Sequence, residues 1–155
     1  MEEKQLVITK KNTLAVLFIL VGIISIVFSG VFLYEGFDKS KLITREMQSE
    51  NITYTSAGGE IAGVIDNPAE AIVMAGVLKE HRSTRYGAYT TLKNGDPNRD
   101  QILKAMTMEN ALNLAVLGYG VTDVVKASSA FMGLTGLLFT VAGVVLARSP
   151  RVKLE

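Results

Sequence analysis

The sequence holds one histidine, His81, and it follows Glu80. An imidazole next to carboxylates is the raw material of a metal site or of general acid–base chemistry. Glu80 and the more distant Glu60 are the acids that would have to join it. One imidazole makes a poor set, however. Helix-surface histidines are more often solvated or hydrogen-bonded, and that reading ranks ahead of metal binding. The chain has no Cys, so disulfides, thiolate metal ligands and a Cys nucleophile are all excluded. A lone His without a surrounding motif does not make a Ser/His/Asp set. Ser56-Ala57-Gly58-Gly59-Glu60 lacks the Lys and following helix of a phosphate loop, so its glycines are expected to serve a turn. No catalytic, cofactor-binding or metal-ligating residue is assigned, and the chain is not expected to be an enzyme.

Two further patterns involve polar side chains. Asn51-Ile52-Thr53 matches the N-glycosylation acceptor pattern, a match that matters only in a secretory eukaryotic setting. Asp123 and Lys126 stand three apart within an otherwise apolar stretch, a spacing that lets them pair on a helix. Charges inside a bilayer mark ion paths, whereas charges at its edge need no special role. Which of these applies depends on where the apolar segments begin.

Residues 12–34 carry no charge and are mostly Leu, Val, Ile and Phe. As a helix they would cross about 30 Å of hydrocarbon. The apolar core is longer than a signal-peptide h-region and no small-x-small cleavage site follows it, so an uncleaved anchor is expected. A second uncharged window covers residues 127–147, bracketed by Lys126 and Arg148. A window over 111–130 would instead bury Asn113, Asp123 and Lys126. Each central Asp or Lys costs about 2.5–3.5 kcal/mol on the insertion scale. The later window wins, and Asp123 and Lys126 become an interface charge pair at the outer edge.

Orientation follows from the flanking bases. Lys4, Lys10 and Lys11 lie in the N-terminal tail, and Arg148, Arg151 and Lys153 in the C-terminal one, while the middle has more acids than bases. Both termini are expected to be cytoplasmic. The parts are then a tail at 1–11, a span at 12–34, an extracytoplasmic module at 35–126, a span at 127–147 and a tail at 148–155. The fold class is a mainly α membrane protein with its spanning helices extended into a mostly helical outer module. The lipid bilayer is the partner this implies. The chain has 16 Lys and Arg against 15 Asp and Glu, a balance that does not support nucleic-acid binding.

Within the outer module the first helix is expected to continue through residues 38–50, which contain neither Pro nor Gly. Ile52-Thr53-Tyr54-Thr55 and the run at 61–65 read as two short strands of a hairpin-like piece around Gly58-Gly59. Asp66-Asn67-Pro68-Ala69-Glu70 is a helix start, with a polar cap, Pro in the first position and Glu in the first turn. That helix is expected to reach about Arg82 and to bury Ile72, Ala75 and Gly76, with Val73 and Val77 beside them, against extensions of the spanning helices. Asn94-Gly95-Asp96-Pro97 stops a loop and starts a last helix, which nothing breaks firmly before Pro150. Its apolar stripe is Ile102, Ala105, Met106, Leu112 and Val116, with Glu109 as the misfit and Gly118 and Gly120 as the expected bend.

Small residues four apart recur in both spans: Ser25 and Ser29, Ser129 and Gly133, Gly136 and Thr140, Gly143 and Ala147. Such spacing lets helices approach closely. Packing of the two spans on each other is the plainer expectation. Self-association as a homo-oligomer, or docking in a larger membrane complex, is the sharper one.

In chain order the motifs are Glu50-Asn51-Ile52-Thr53, Asp66-Asn67-Pro68-Ala69, Glu80-His81, Gly87 and Tyr89, Asp96-Pro97-Asn98-Arg99, and Tyr119-Gly120-Val121 before the second span. This arrangement resembles a family of small bacterial two-span membrane proteins of unknown function, and the likeness covers most of the chain. Some members carry the label aromatic ring-opening dioxygenase. The residues here do not support that label, because such iron chemistry needs two His and a carboxylate with open metal positions. Asp123 and Lys126 depart from the more apolar run expected there. The resemblance supplies no catalytic residues. The expected function is therefore that of a non-enzymatic accessory or structural membrane protein. The alternative is an oligomeric pore or transporter component with Asp123 and Lys126 near its entrance. A membrane-bound enzyme using His81 comes third.

Overall fold

The computed structural model describes residues 2–55 and 61–149, with side chains described for 11–53 and 63–149. Two very long helices dominate. The first, α1, runs Glu2–Ser49, and the last, α3, runs Asn98–Arg148. Between them lie strands β1 (Thr53–Thr55) and β2 (Ile61–Val64), helix α2 (Pro68–Tyr86) and a short 3-10 turn at Tyr89–Thr91. α1 and α3 are each long and apolar enough to cross a membrane. The chain divides into two compact units. One comprises Met1–Phe37 with Val124–Glu155, and the other Asp38–Asp123.

The second unit has its own core. β1 and β2 pair antiparallel, Thr53 with Val64 and Tyr54 with Gly63, with an irregularity before Thr55 meets Ile61. Two strands are marginal alone. Here the ends of the pair are tied down: the Ile65 amide donates to the Ile52 carbonyl at 2.9 Å, and the Ile65 side chain is fully buried. The turn at residues 56–60, including Gly58-Gly59 and Glu60, lies outside the described residues.

α2 starts as its cap residues dictate. Asn67 Oδ1 accepts the Glu70 amide at 3.0 Å, Pro68 takes the first turn, and Glu70 Oε2 accepts the Asp66 amide at 3.3 Å. The helix continues past Arg82 to Tyr86, because no residue before Gly87 stops it. Gly87 has φ +72°, a conformation that costs a residue with a Cβ.

The buried face of α2 matches the expected one only in part. Ala75 is buried and Val77 half-buried as expected, and Ala71 is buried with Met74 and Leu78 packed beside it, whereas Ile72 and Val73 are exposed and Gly76 borders open space. The helix is rotated so that alanines, not branched residues, meet the core. Ala71 and Ala75 share one buried cluster with Met47 of α1 and with Leu112 and Tyr119 of α3, and Ile43 and Val116 pack against it.

α3 is helical throughout, including Gly118 and Gly120. Gly118 has a packing role: a Cβ there would sit 2.8 Å from Ile43 Cδ1. Gly120 faces open space. The expected stripe is on the inner side, with Ile102 and Leu112 fully buried and Ala105, Met106 and Val116 half-buried.

Candidate functional site: the seam between the two apolar helices

In the first unit, α1 and α3 run antiparallel along a line of small residues. Ala15, Gly22 and Gly36 are buried on α1 and Ser29 is half-buried; Ser129, Gly136 and Gly143 are buried on α3. The spacing within each set is seven. A seven-residue repeat keeps one narrow face turned to a partner helix when the two coil left-handedly.

The contacts are backbone to backbone. A Cβ on Gly136 would lie 2.7 Å from the Gly22 carbonyl oxygen and 3.0 Å from the Ile26 nitrogen. One on Gly22 would collide with the Thr140 hydroxyl and lie 2.6 Å from the Gly136 carbonyl oxygen. One on Gly143 would lie 2.8 Å from the Ala15 carbonyl oxygen. No side chain fits at these points, so only glycine permits the approach. Gly133 plays a lesser part, since its Cβ would meet the Ser29 hydroxyl at 2.7 Å.

The hydroxyls of Ser29, Ser129 and Thr140 each donate to a carbonyl. Ser29 Oγ donates across to the Ser129 carbonyl at 2.6 Å, and Ser129 Oγ donates to Val125 at 2.6 Å within its own helix. Thr140 Oγ1 donates to Gly136 at 2.8 Å. A hydroxyl bonded to the carbonyl one turn back presents its methyl or methylene to the neighbour and leaves no buried polar atom bare. At one end the Lys11 ammonium donates to the Ser149 carbonyl at 2.9 Å, which satisfies a helix-terminal acceptor. Phe18 and Phe139 stack with centroids 5.4 Å apart beside the glycines.

The outward faces are the reverse. Leu17, Val27, Phe131 and Leu138 are 55%, 60%, 71% and 69% exposed. Exposed apolar surface this continuous marks a site of contact with another apolar phase or protein.

Ser25 is half-buried and Ala147 exposed. Asp123 is exposed, and the Lys126 ammonium lies 5.1 Å from the centre of the Phe37 ring. His81 and Glu80 are exposed, and among the described residues no three His, Asp or Glu side chains gather closely enough to hold a metal ion. Asn51 is exposed with φ 49°, ending α1 in the left-handed conformation that Asn tolerates.

Several residues escaped the reading by fours. Ala15, Gly22 and Gly36 become visible only when the spans are scanned at intervals of seven. In the second unit, Glu109 is not the flaw its place in the stripe suggested. Its Oε2 accepts from Arg82 Nε at 3.3 Å and Nη2 at 3.1 Å, with both side chains more than four-fifths buried. The signal for it was Arg82 on the facing helix. Tyr119 Oη sits 2.6 Å from Thr44 Oγ1 and donates to the Asp66 carbonyl at 3.1 Å, joining three segments through one hydroxyl.

No protein-family model, no curated protein and no solved structure matches this chain.

Proposed function

We propose that the chain is a non-enzymatic accessory or structural protein of the cell membrane. In this reading residues 12–34 and 127–147 cross the bilayer, both termini are cytoplasmic, and the module at 35–126 lies outside. The motif likeness to small bacterial two-span proteins belongs to the same proposal. The observation that carries it is the pairing of a close small-residue seam with bulky apolar outward faces, the pattern that helix packing in lipid favours. The seam also argues for an anchor over a cleaved signal, since removing the first helix would bare Ser129, Gly136 and Gly143. The basic residues at both ends support the orientation.

The small residues of the seam are engaged within one chain. A homo-oligomer or a larger complex would therefore use the outward faces or the outer module. The pore alternative, an oligomer with Asp123 and Lys126 near its entrance, has less support, because the hydroxyls of Ser29, Ser129 and Thr140 are bonded to carbonyls and residues 12–34 and 127–147 carry no charge. Nothing in the charge balance favours nucleic acid.

The absence of native Cys makes the topology testable by single-cysteine labelling. On intact cells, a membrane-impermeant maleimide should label Lys93→Cys and should reach Lys4→Cys only after permeabilisation. Labelling of Lys4→Cys on intact cells would overturn the orientation. Release of the protein by alkaline carbonate would overturn membrane insertion. The mass of the particle in mild detergent, with any co-purifying chain identified, then decides between self-assembly and an accessory subunit.

A further inference from the structure

The second unit contains a groove of about 260 Å³ between the C-terminal half of α2 and the N-terminal half of α3. Its lining mixes two chemistries. Leu78, Ala105 and Met108 are apolar and His81, Arg85 and Lys104 are basic, with Tyr86 and Gln101 beside them. Arg82 also lines it, but its guanidinium is engaged by Glu109. No carboxylate lines the groove, and among the described residues neither Arg85 nor Lys104 makes an ion pair. Two cations from different helices thus line one groove with no carboxylate among its lining residues, and the Arg82–Glu109 pair links those helices. Cationic and apolar side chains lining one groove match a molecule with an anionic head and a short apolar body.

We propose that this groove binds a phosphomonoester bearing an apolar substituent, with the phosphate held by Arg85 and Lys104 and the substituent laid against Leu78 and Met108. The ligand's source is either a soluble phosphomonoester or the headgroup of an anionic lipid. The inference goes beyond the proposed membrane role and does not depend on it, since the groove lies wholly within the second unit.

The test uses the full chain in mild detergent, titrated calorimetrically with inorganic phosphate, hexyl phosphate and dihexanoyl phosphatidic acid. Hexyl phosphate is expected to bind saturably, about tenfold tighter than inorganic phosphate because its chain leaves water. Arg85→Gln with Lys104→Gln should weaken it about tenfold. Lys79→Gln with Lys93→Gln, the same loss of charge on exposed positions outside the groove, should leave the affinity unchanged. Circular dichroism melting of each variant separates lost binding from lost folding, and amide shifts confined to residues 78–108 on titration give a second readout on the unaltered chain. Binding of hexyl phosphate but not of the phosphatidic acid assigns a soluble ligand, and binding of both admits the lipid headgroup. Absence of saturable binding by hexyl phosphate, or equal weakening by the two double variants, overturns the proposal. Hexyl phosphate no tighter than inorganic phosphate removes the apolar half of it.

Discussion

Among single residues, Glu109 carries the sharpest energetic consequence. It lies on the inner stripe of α3, where a carboxylate is expensive unless paired, and Arg82 of α2 pairs it. Removing one member leaves the other charge poorly solvated. Glu109→Gln is therefore expected to destabilise the folded chain by about 1.5–3 kcal/mol. Replacing both, Arg82→Met with Glu109→Leu, should recover most of that loss, because well-packed apolar residues often match a buried pair. Denaturant or detergent titration of the single and double variants gives the coupling. Additive losses would mean that the pair contributes nothing beyond two separate side chains. The sequence showed Glu109 as an anomaly in an apolar pattern. It could not show the remedy, since Arg82 is 27 positions away and meets Glu109 only when α2 lies against α3.

For the helices, the question is how close two of them come. Gly22, Gly136 and Gly143 let α1 and α3 touch through their backbones, so even one methyl is too much. Gly136→Ala should cost about 1–2 kcal/mol, since the added carbon meets backbone atoms that cannot rotate away. Gly30→Ala makes the matched control. Nothing lies within 4 Å of where its Cβ would stand, so the change should be neutral or stabilise by about 0.5–1 kcal/mol through helix propensity. Equal effects from the two substitutions would mean that the seam is not packed as described. The branched residues Ile72 and Val73 of α2 are exposed, whereas Ala71 and Ala75 are buried in the cluster that α1 and α3 also line. Sequence patterning ranks residues by apolarity, and for α2 the most apolar residues and the buried ones lie on different sides.

At the level of the whole molecule, the outward apolar faces of the first unit raise a question that one charge can answer. Leu138 is 69% exposed and lies near the middle of residues 127–147. On a water-facing helix, Leu138→Arg would change stability by no more than about 0.5 kcal/mol. On a lipid-facing one it would carry an insertion cost of about 2.5–3.5 kcal/mol. The expected outcome is a marked fall in the membrane-integrated fraction, read by carbonate extraction and by yield. A variant that accumulates normally in the soluble fraction would remove the membrane reading.

The parts of the chain were legible from local signals. Uncharged runs of sufficient length, helix caps at Asn67 and Asp96, and the paired β-branched segments before Asp66 are local signals, set by residues within a turn or two of each other. The hairpin, the extension of α1 beyond its apolar run and the unbroken course of α3 follow from them. Tertiary structure alone decided which faces meet. Ser29 bonds Ser129 a hundred residues away, Tyr119 joins Thr44 to Asp66, and Gly118 makes room for Ile43. Each is a matter of distance between backbones. That distance is set by the smallest residues on two facing surfaces at once, and neither surface is visible in the pattern of a single helix.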